Sequence, residues 1–312
     1  MKVVFFGTPE YAVKPLQALI DSNHQVVAVV TQPDKAVGRS NKIVPTPVKK
    51  VAIENNIPVF QFEKIRKDDI SSLLAIDADL YVTCAYGQIL DENILFAKRY
   101  GVFNLHGSLL PKYRGASPVQ SALINNETET GVTVLKSGIG LDDGDIVYSR
   151  AISIHEDDNA ITLFEKLSSL SAECIIETLD LLEKNLISYT PQDDKLATKC
   201  SMFSSDLANI DINSSLKEAI GKIKGFAMWP TVKFTIDDVY FKIYNGKEYK
   251  SELNLSDYKN GEVVIANNKD GLVVKFRDGF LEITELLPIN SKKMSAKSYL
   301  NGKEIKVGSI IN

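Results

Sequence analysis

Asn104 and His106 are the residues whose types and spacing most strongly suggest chemistry. They stand two positions apart at the end of an apolar run containing Val102 and Phe103, which predicts a buried strand. Side chains alternate along a strand, so both would point to the same side. An imidazole accepts a proton near neutral pH, and an amide can donate to an oxygen that gains negative charge. A lone histidine is more often structural than catalytic, so this pair needs a third group.

Asp142 is a candidate for that third group. It lies in a glycine- and aspartate-rich turn, residues 137–145, which follows a β-branched segment predicted as a strand. Adjacent parallel strands end at the same sheet edge, so the turn would lie against His106 if the two strands are neighbours. A carboxylate there would stabilise the imidazolium and orient the ring. The set suits attack of an amine or water on a carbonyl carbon, and the absence of a GxSxG motif favours direct transfer over a covalent acyl-enzyme.

The elements that must position these residues alternate between strands and helices. An apolar run, Val3 to Phe6, is followed by a helical pattern over residues 10–21 and a second apolar run, Val26 to Val30. This order predicts a doubly wound, mostly parallel sheet, in which ligands bind at the carboxyl ends of the strands. The first turn has one glycine and no GxGxxG motif, which argues against nicotinamide chemistry.

The chain is long enough for two domains. We expect a catalytic α/β domain over residues 1–188, a linker over residues 189–206 and a second domain over residues 207–312. The linker has few apolar residues and contains Pro191. The last part shows about five short strand patterns, which predict a small OB-like β-barrel. Such barrels often bind nucleic acid, although a fold alone does not assign a function.

Composition excludes several classes of protein. Of 312 residues, 44% are hydrophobic and 24% are charged, which is ordinary for a soluble globular chain. The first apolar run is too short for a signal peptide or a membrane span, so we expect a cytoplasmic protein. The three widely spaced cysteines argue against a disulfide framework and against a zinc site. Residues 207–312 carry 16 Lys and Arg against 13 Asp and Glu, which is only weak evidence for a polyanionic partner.

A long polar segment, Gln32 to Pro47, follows the second predicted strand. It has neither strand nor helix periodicity, and Lys35, Arg39 and Lys42 give it positive charge. A connection of this length at the carboxyl edge of a sheet is more often functional than idle. Two interpretations stay open, a solvated surface loop and a mobile arm that contacts phosphate.

The motifs around these candidates resemble the folate-dependent formyltransferase family. They are Asn104-x-His106, Ser108-Leu-Leu-Pro111, Arg114-Gly-x-x-Pro118 and the turn that contains Asp142. Three further motifs resemble the family members that act on a charged initiator tRNA, namely Phe6-Gly-Thr-Pro-Glu10, Thr31-Gln-Pro-Asp34 and Val44-Pro-Thr-Pro-Val48.

The resemblance implies a Rossmann-like formyltransferase fold followed by an OB-like barrel. It also implies transfer of a formyl group from 10-formyltetrahydrofolate to the α-amino group of methionine on initiator tRNA, for translation initiation. The catalytic residues that it implies are Asn104, His106 and Asp142. The folate-binding residues are Ser108, Leu109, Leu110, Pro111, Tyr86, Gly87 and Ile139, and the tRNA-binding residues are Arg39 and Lys42. We expect a monomer with no metal and no membrane partner.

Three alternatives remain open. The acceptor could be a small amine such as a sugar nucleotide, or water could hydrolyse the formylated folate. The chain could also bind folate or RNA without catalysis. The basic segment and the added barrel favour a macromolecular acceptor, and the Asn, His and Asp set argues against simple binding.

Overall fold

The computed structural model describes residues 1–37 and 42–312, which divide into two compact units. The first unit contains Met1–Pro118, Glu129–Ser153 and Phe164–Cys200. The second contains Val119–Thr128, Ile154–Leu163 and Ser201–Asn312. Residues 189–200 of the segment predicted as a linker therefore belong to the first unit.

The first unit is built on strands that are, in chain order, β1 (Lys2–Gly7), β2 (Gln25–Thr31), β3 (Lys35–Val37), β4 (Lys42–Val44), β5 (Val59–Gln61), β6 (Leu80–Cys84), β7 (Val102–His106), β8 (Arg114–Gly115), β9 (Glu129–Lys136), β10 (Ile146–Ser153) and β11 (Lys199–Cys200). Seven of them form one sheet in the order β10-β9-β7-β6-β1-β2-β5. Strands β5, β2, β1, β6 and β7 run parallel to one another. The predicted Rossmann-like, mostly parallel sheet is confirmed.

Strand β9 lies next to β7 but runs antiparallel to it, with His106 opposite Thr133 and Phe103 opposite Lys136. The assumption that two parallel strands bring Asp142 to His106 was therefore wrong. The turn after β9 starts beside the first residues of β7, where the Ser137 amide donates to the Val102 carbonyl at 2.8 Å. The turn must fold back along β7 before Asp142 can reach Asn104.

The helices of the chain are α1 (Val13–Asp21), α2 (Pro47–Glu54), α3 (Ser71–Leu74), α4 (Glu92–Leu95), α5 (Pro118–Ile124), α6 (Ala160–Glu183), α7 (Leu216–Gly225) and α8 (Ala296–Leu300). Local chemistry sets the start of α2, because the Thr46 hydroxyl accepts from the Lys49 amide at 3.2 Å and Pro47 occupies the first turn. Between residues 1 and 37 and from 42 to 312, no helix is both long and apolar enough to cross a membrane.

The core of the first sheet explains the apolar run at the start of the chain. Val3, Val4, Phe5 and Phe6 are all fully buried, because β1 is a central strand covered on both faces. Strand β10, at the antiparallel edge, instead alternates between half-buried and exposed residues from Tyr148 onward. The carboxyl ends of the central strands are therefore fixed in place by a tightly packed core.

The strands that form the sheet of the second unit pair antiparallel to one another. Its strands are β12 (Val232–Ile236), β13 (Val239–Glu248), β14 (Val263–Asn267), β15 (Gly271–Phe276), β16 (Gly279–Pro288) and β17 (Met294–Ser295). The order is β12-β13-β16-β15-β14, with β17 on β16. The last residues of the chain join the two edges, because Val263 of β14 donates to the Ser309 carbonyl at 2.8 Å and Thr235 of β12 donates to the Asn312 carbonyl at 2.9 Å. The sheet is thereby closed, as the barrel prediction requires.

Candidate active site

Asn104 lies near the carboxyl end of β7, and two hydrogen bonds fix its amide. Its Oδ1 accepts from the Thr83 hydroxyl at 2.8 Å, and its Nδ2 donates to Asp142 Oδ1 at 3.3 Å. Thr83 stands opposite Asn104 in the β6–β7 register, so the sheet itself delivers this partner. The amide nitrogen has a second hydrogen, which can donate to an oxygen of a bound molecule.

His106, the last residue of β7, is buried with its ring between two acceptors. Nε2 lies 2.9 Å from the Tyr113 carbonyl, and Nδ1 lies 3.6 Å from Asp142 Oδ2. A carbonyl oxygen only accepts, so Nε2 must carry a hydrogen. Nδ1 is then the nitrogen that takes up or releases a proton, and it faces a carboxylate that stabilises the protonated ring.

Asp142 is the centre of this arrangement, and its backbone has a left-handed conformation with φ of 51°. Oδ1 accepts from Asn104, and Oδ2 accepts from the Gly115 amide at 2.9 Å while it faces His106. One carboxylate therefore contacts both candidate catalytic side chains. The expected neighbourhood of Asn104, His106 and Asp142 is present, although the strand direction that brings it about differs from the prediction.

Gln192 is a contributor that the sequence reading missed, because it lies in the segment predicted as a linker. Its Nε2 donates to the carbonyl of Asp142 at 2.8 Å and to the carbonyl of Gly144 at 2.7 Å. Its Oε1 accepts from Arg114 Nε at 3.0 Å. The only signal in the sequence was a polar residue after Pro191 in a poorly apolar segment, which is equally typical of a solvated linker.

The same segment pairs with the loop after β7. Strand β11 runs parallel to β8, and the Arg114 amide donates to the Thr198 carbonyl at 2.8 Å. Gly115 has φ of 122°, and a Cβ built on it would lie 2.1 Å from the Cys200 carbonyl oxygen. Glycine is therefore required at this position of the Arg-Gly motif, both for its φ and for the close approach of the two chains.

The residues 108–111, predicted to bind folate, form a turn fastened to β9. The buried Thr133 hydroxyl donates to the Ser108 carbonyl at 2.7 Å and accepts from the Leu110 amide at 3.1 Å. Ser108 is buried and its own hydroxyl donates to the Lys112 carbonyl at 2.7 Å. The peptide bond between Leu110 and Pro111 is cis, and Leu109 is only half-buried. The Ser108 side chain is thus engaged within the protein, and the turn can offer backbone and apolar surface to a ligand.

The other predicted folate residues differ in what they expose. The Tyr86 ring is buried against Phe6 with the ring centroids 5.5 Å apart, and burial raises the pKa of its hydroxyl. Its carbonyl accepts from the Thr8 hydroxyl at 2.9 Å. Gly87 has φ of 88°, and Ile139 is exposed over 70% of its surface. The Tyr86 side chain is therefore part of the core, whereas Gly87 and Ile139 are available for contact.

The two predicted tRNA-binding residues lie in the polar segment after β2. Lys42 is exposed at the start of β4, and β4 pairs with β3 as an antiparallel hairpin. The segment therefore has regular structure that its sequence did not predict. Arg39 lies outside the described residues.

In comparisons with known proteins, both parts of the chain match models of protein families. Residues 1–179 match the formyl transferase family, and residues 203–304 match the C-terminal domain of formyl transferases. A methionyl-tRNA formyltransferase of Sulfurihydrogenibium sp. strain YO3AOP1 is 41% identical over 310 residues, which cover 99% of each chain. That of Clostridioides difficile strain 630 is 38% identical over 312 residues, which cover 100% of each chain.

Solved structures agree on the fold. WlaRD, a sugar 3N-formyltransferase solved in the presence of dTDP and 5-N-formyl-THF, superposes with a TM-score of 0.70 at 19% identity, over 94% of this chain and 99% of its own. The N-formyltransferase of Helicobacter canadensis, in complex with folinic acid and dTDP-3-aminofucose, has a TM-score of 0.69 at 18% identity, over 94% and 100%. The chain belongs to the formyltransferase family, within its methionyl-tRNA formyltransferase branch.

Proposed function

We propose that this chain transfers the formyl group of 10-formyltetrahydrofolate to the α-amino group of methionine carried by initiator tRNA. The observation that carries the proposal is the position of Asp142, whose two oxygens contact the Asn104 amide and face His106 Nδ1. The full-length similarity to methionyl-tRNA formyltransferases supports this acceptor over a sugar nucleotide.

The proposed reaction begins with a neutral amine, whose reference pKa is about 7.7 to 8.0. The amine nitrogen attacks the formyl carbon, and the carbonyl electron pair moves to the oxygen. His106 Nδ1 takes the proton that the nitrogen loses, and Asp142 stabilises the resulting imidazolium. The carbon–nitrogen bond to N10 then breaks as the carbonyl reforms, and N10 takes the proton from His106 Nδ1, which returns the imidazole to its neutral form.

Asn104 is proposed to stabilise the tetrahedral oxyanion. Its Oδ1 is occupied by the Thr83 hydroxyl, so the amide cannot turn over without losing that bond at 2.8 Å. The free hydrogen on Nδ2 is consequently held in one direction before the substrate arrives. Such preorganised donors reduce the barrier because they need no reorientation as charge develops.

The folate is proposed to lie along residues 108–111, Gly87 and Ile139. The fixed backbone of the 108–111 turn, the left-handed Gly87 and the exposed apolar Ile139 support this placement. The Tyr86 contribution is proposed to be its backbone, since its ring is in the core.

Arg39 and Lys42 are proposed to contact tRNA phosphate, and the lysine-rich second unit to bind the tRNA elsewhere. We further propose a monomeric, cytoplasmic enzyme that uses no metal.

Product identity in a single assay tests the proposal. Purified protein is incubated with labelled 10-formyltetrahydrofolate and, in parallel, with Met-tRNA, a sugar-nucleotide amine or buffer alone. We expect label in formylmethionyl-tRNA and little formate. Preferential labelling of the sugar amine, or release of formate in buffer alone at the same rate, would contradict the proposed acceptor.

A further inference from the structure

The segment formed by Gln192, Thr198 and Cys200, which we call the brace, contacts the partners of both His106 and Asp142. Gln192 binds the backbone of Asp142, as described above. The Thr198 Oγ1 accepts from the Tyr113 amide at 2.8 Å, and Cys200 Sγ donates to the Tyr113 carbonyl at 3.3 Å. That carbonyl is the acceptor that holds His106 Nε2. The brace thus contacts the backbone of Asp142 through Gln192, and it contacts the residue that holds His106 through Thr198 and Cys200.

The Asp142 side needs such support because its turn is long and strained. Asp142 has φ of 51°, a conformation that costs a non-glycine residue energy and persists only where surrounding contacts enforce it. The Gln192 amide donates to two carbonyls of this turn, those of Asp142 and Gly144. One side chain therefore bridges two points of the turn and limits how far the Asp142 carboxylate can move.

The Gln192 amide is itself held in one orientation. Its Oε1 accepts from Arg114 Nε, and a guanidinium only donates, so Nε2 must face the turn. Arg114 is buried, and its Nη2 pairs with Asp194 at 2.8 Å. Tyr113, on the other side, has φ of 62°, so the carbonyl that holds His106 also depends on enforced backbone geometry.

We propose that Gln192 is a positioning residue for the reaction, which acts by holding the Asp142 carboxylate against His106 and Asn104, and that Thr198 has the matching role at the Tyr113 carbonyl. The inference rests on the proposed formyl transfer. Neither Gln192 nor Thr198 needs to touch a substrate. Misplacement of a catalytic group by about 1 Å can cost on the order of 10²-fold in rate, so the brace affects kcat rather than substrate binding.

The first test substitutes Gln192 in two ways. Gln192→Met keeps the volume and removes every hydrogen bond, whereas Gln192→Glu keeps the acceptor for Arg114 and loses both donors to the turn. We expect kcat to fall about 10-fold or more in both variants, with KM for folate and for Met-tRNA changed less than about twofold. Gln17→Met is the matched control, because the same substitution on α1 removes only the hydrogen bond from Gln17 to Asp21 and should leave kcat within about twofold.

A double-mutant cycle with Asp142→Asn separates positioning from general destabilisation. If Gln192 acts through the Asp142 carboxylate, Gln192→Met should lower kcat much less in the Asp142→Asn background than in the native one. An equal fold loss in both backgrounds, or native kcat in Gln192→Glu, would overturn the proposal. Thr198→Val is likewise expected to lower kcat, while KM for folate and for Met-tRNA changes less than about twofold.

A spectroscopic readout keeps the brace testable if formyl transfer itself fails. The chain has three histidines, so the ring ¹⁵N signals of His106 can be assigned by substitution. We expect these signals to shift in Gln192→Met and to stay unchanged in the control Gln17→Met. Unchanged His106 signals in Gln192→Met would refute the brace, whereas absence of formylated product from the native chain would refute the proposed function alone.

Discussion

The two sheets of this protein use their strands in different ways. In the first unit, central strands such as β1 are buried on both faces, and the polar residues with chemical potential stand at strand ends. In the second unit, strands such as β12 alternate between buried and half-buried residues, and the last residues of the chain close the sheet. The candidate catalytic residues of the first sheet therefore lie at the ends of its strands. The second sheet has a buried inner face and a partly exposed outer face.

The comparison predicts that the largest loss of stability follows from opening the core of the second sheet. Phe241 is fully buried on β13 and packs on Tyr299 with ring centroids 5.3 Å apart. Phe241→Ala should lower the free energy of unfolding by about 3 to 5 kcal/mol, measured by denaturant titration. The neighbouring Lys242→Ala, which removes a half-buried side chain of opposite orientation, serves as the control and should change little. Equal effects of the two substitutions would contradict the one-sided burial of β13.

The largest loss of activity is predicted at the carboxyl edge of the first sheet. Asn104→Ala, His106→Ala and Asp142→Ala should each lower kcat for formyl transfer by about 10² or more, because each removes an oxyanion donor or a proton-transfer group. Thermal unfolding of the same variants checks that the fold is intact. Rates near those of the native chain in any one variant would remove that residue from the mechanism.

A smaller effect is predicted for the basic segment after β2. Arg39→Ala and Lys42→Ala should each raise KM for Met-tRNA severalfold, more strongly at low salt, and leave KM for folate unchanged, because phosphate contacts are screened by ions. Lys50→Ala, another exposed lysine that lies on α2, is the matched control. An equal rise in KM for folate would show that the segment serves the donor site instead.

The smallest effect is a change of stability at β10, the edge strand of the first sheet. Its burial alternates along the strand, as it does in the strands of the second sheet. Hydrogen bonds from the Tyr148 hydroxyl, and then from the Arg150 guanidinium, hold the pKa of Glu177 below its ordinary value. A carboxyl group whose pKa is lower in the folded than in the unfolded chain stabilises the fold at pH values above the unfolded pKa, which is about 4.3. This contribution is lost as the pH falls through the folded pKa. The Glu177 side chain is 46% exposed, so solvent screening limits the contribution to less than about 1 kcal/mol.

Glu177→Gln should accordingly be slightly less stable than the native chain at pH 7, and the difference should be smaller at about pH 3. Denaturant titrations at both values measure the difference. Glu165→Gln, on the same helix, is the control, since the Glu165 carboxylate is 3.7 Å from Lys14 and largely exposed. A difference that grows as the pH falls would contradict the predicted sign.

Much of the first unit was predictable because local patterns and global fold agree there. The run of four apolar residues at the start of the chain is typical of a central strand buried on both faces, and Asn104 and His106 follow a similar run. The helix α6 also follows from a local pattern, because Leu163, Leu167 and Leu170 recur at the spacing of helix turns. The antiparallel direction of β9 was not predictable, since a β-branched segment fits either direction equally well.

The brace was missed for a related reason. Gln192 and Thr198 form their bonds with residues about 50 and 85 positions away along the chain, and a polar segment with a proline has the same composition whether it is a linker or a bridge. The hairpin of β3 and β4 was missed because strands of three residues are too short to show a period.

The sequence by itself determined the alternation of strands and helices in the first unit and the residue types at the end of β7. These properties follow from periodicity and from chemistry within a few residues. Only the tertiary structure decided that Asp142 lies between Asn104 and His106, and that Gln192 holds its turn. Both depend on how distant segments pack and on left-handed backbone geometry at Asp142, which no local pattern of side chains encodes.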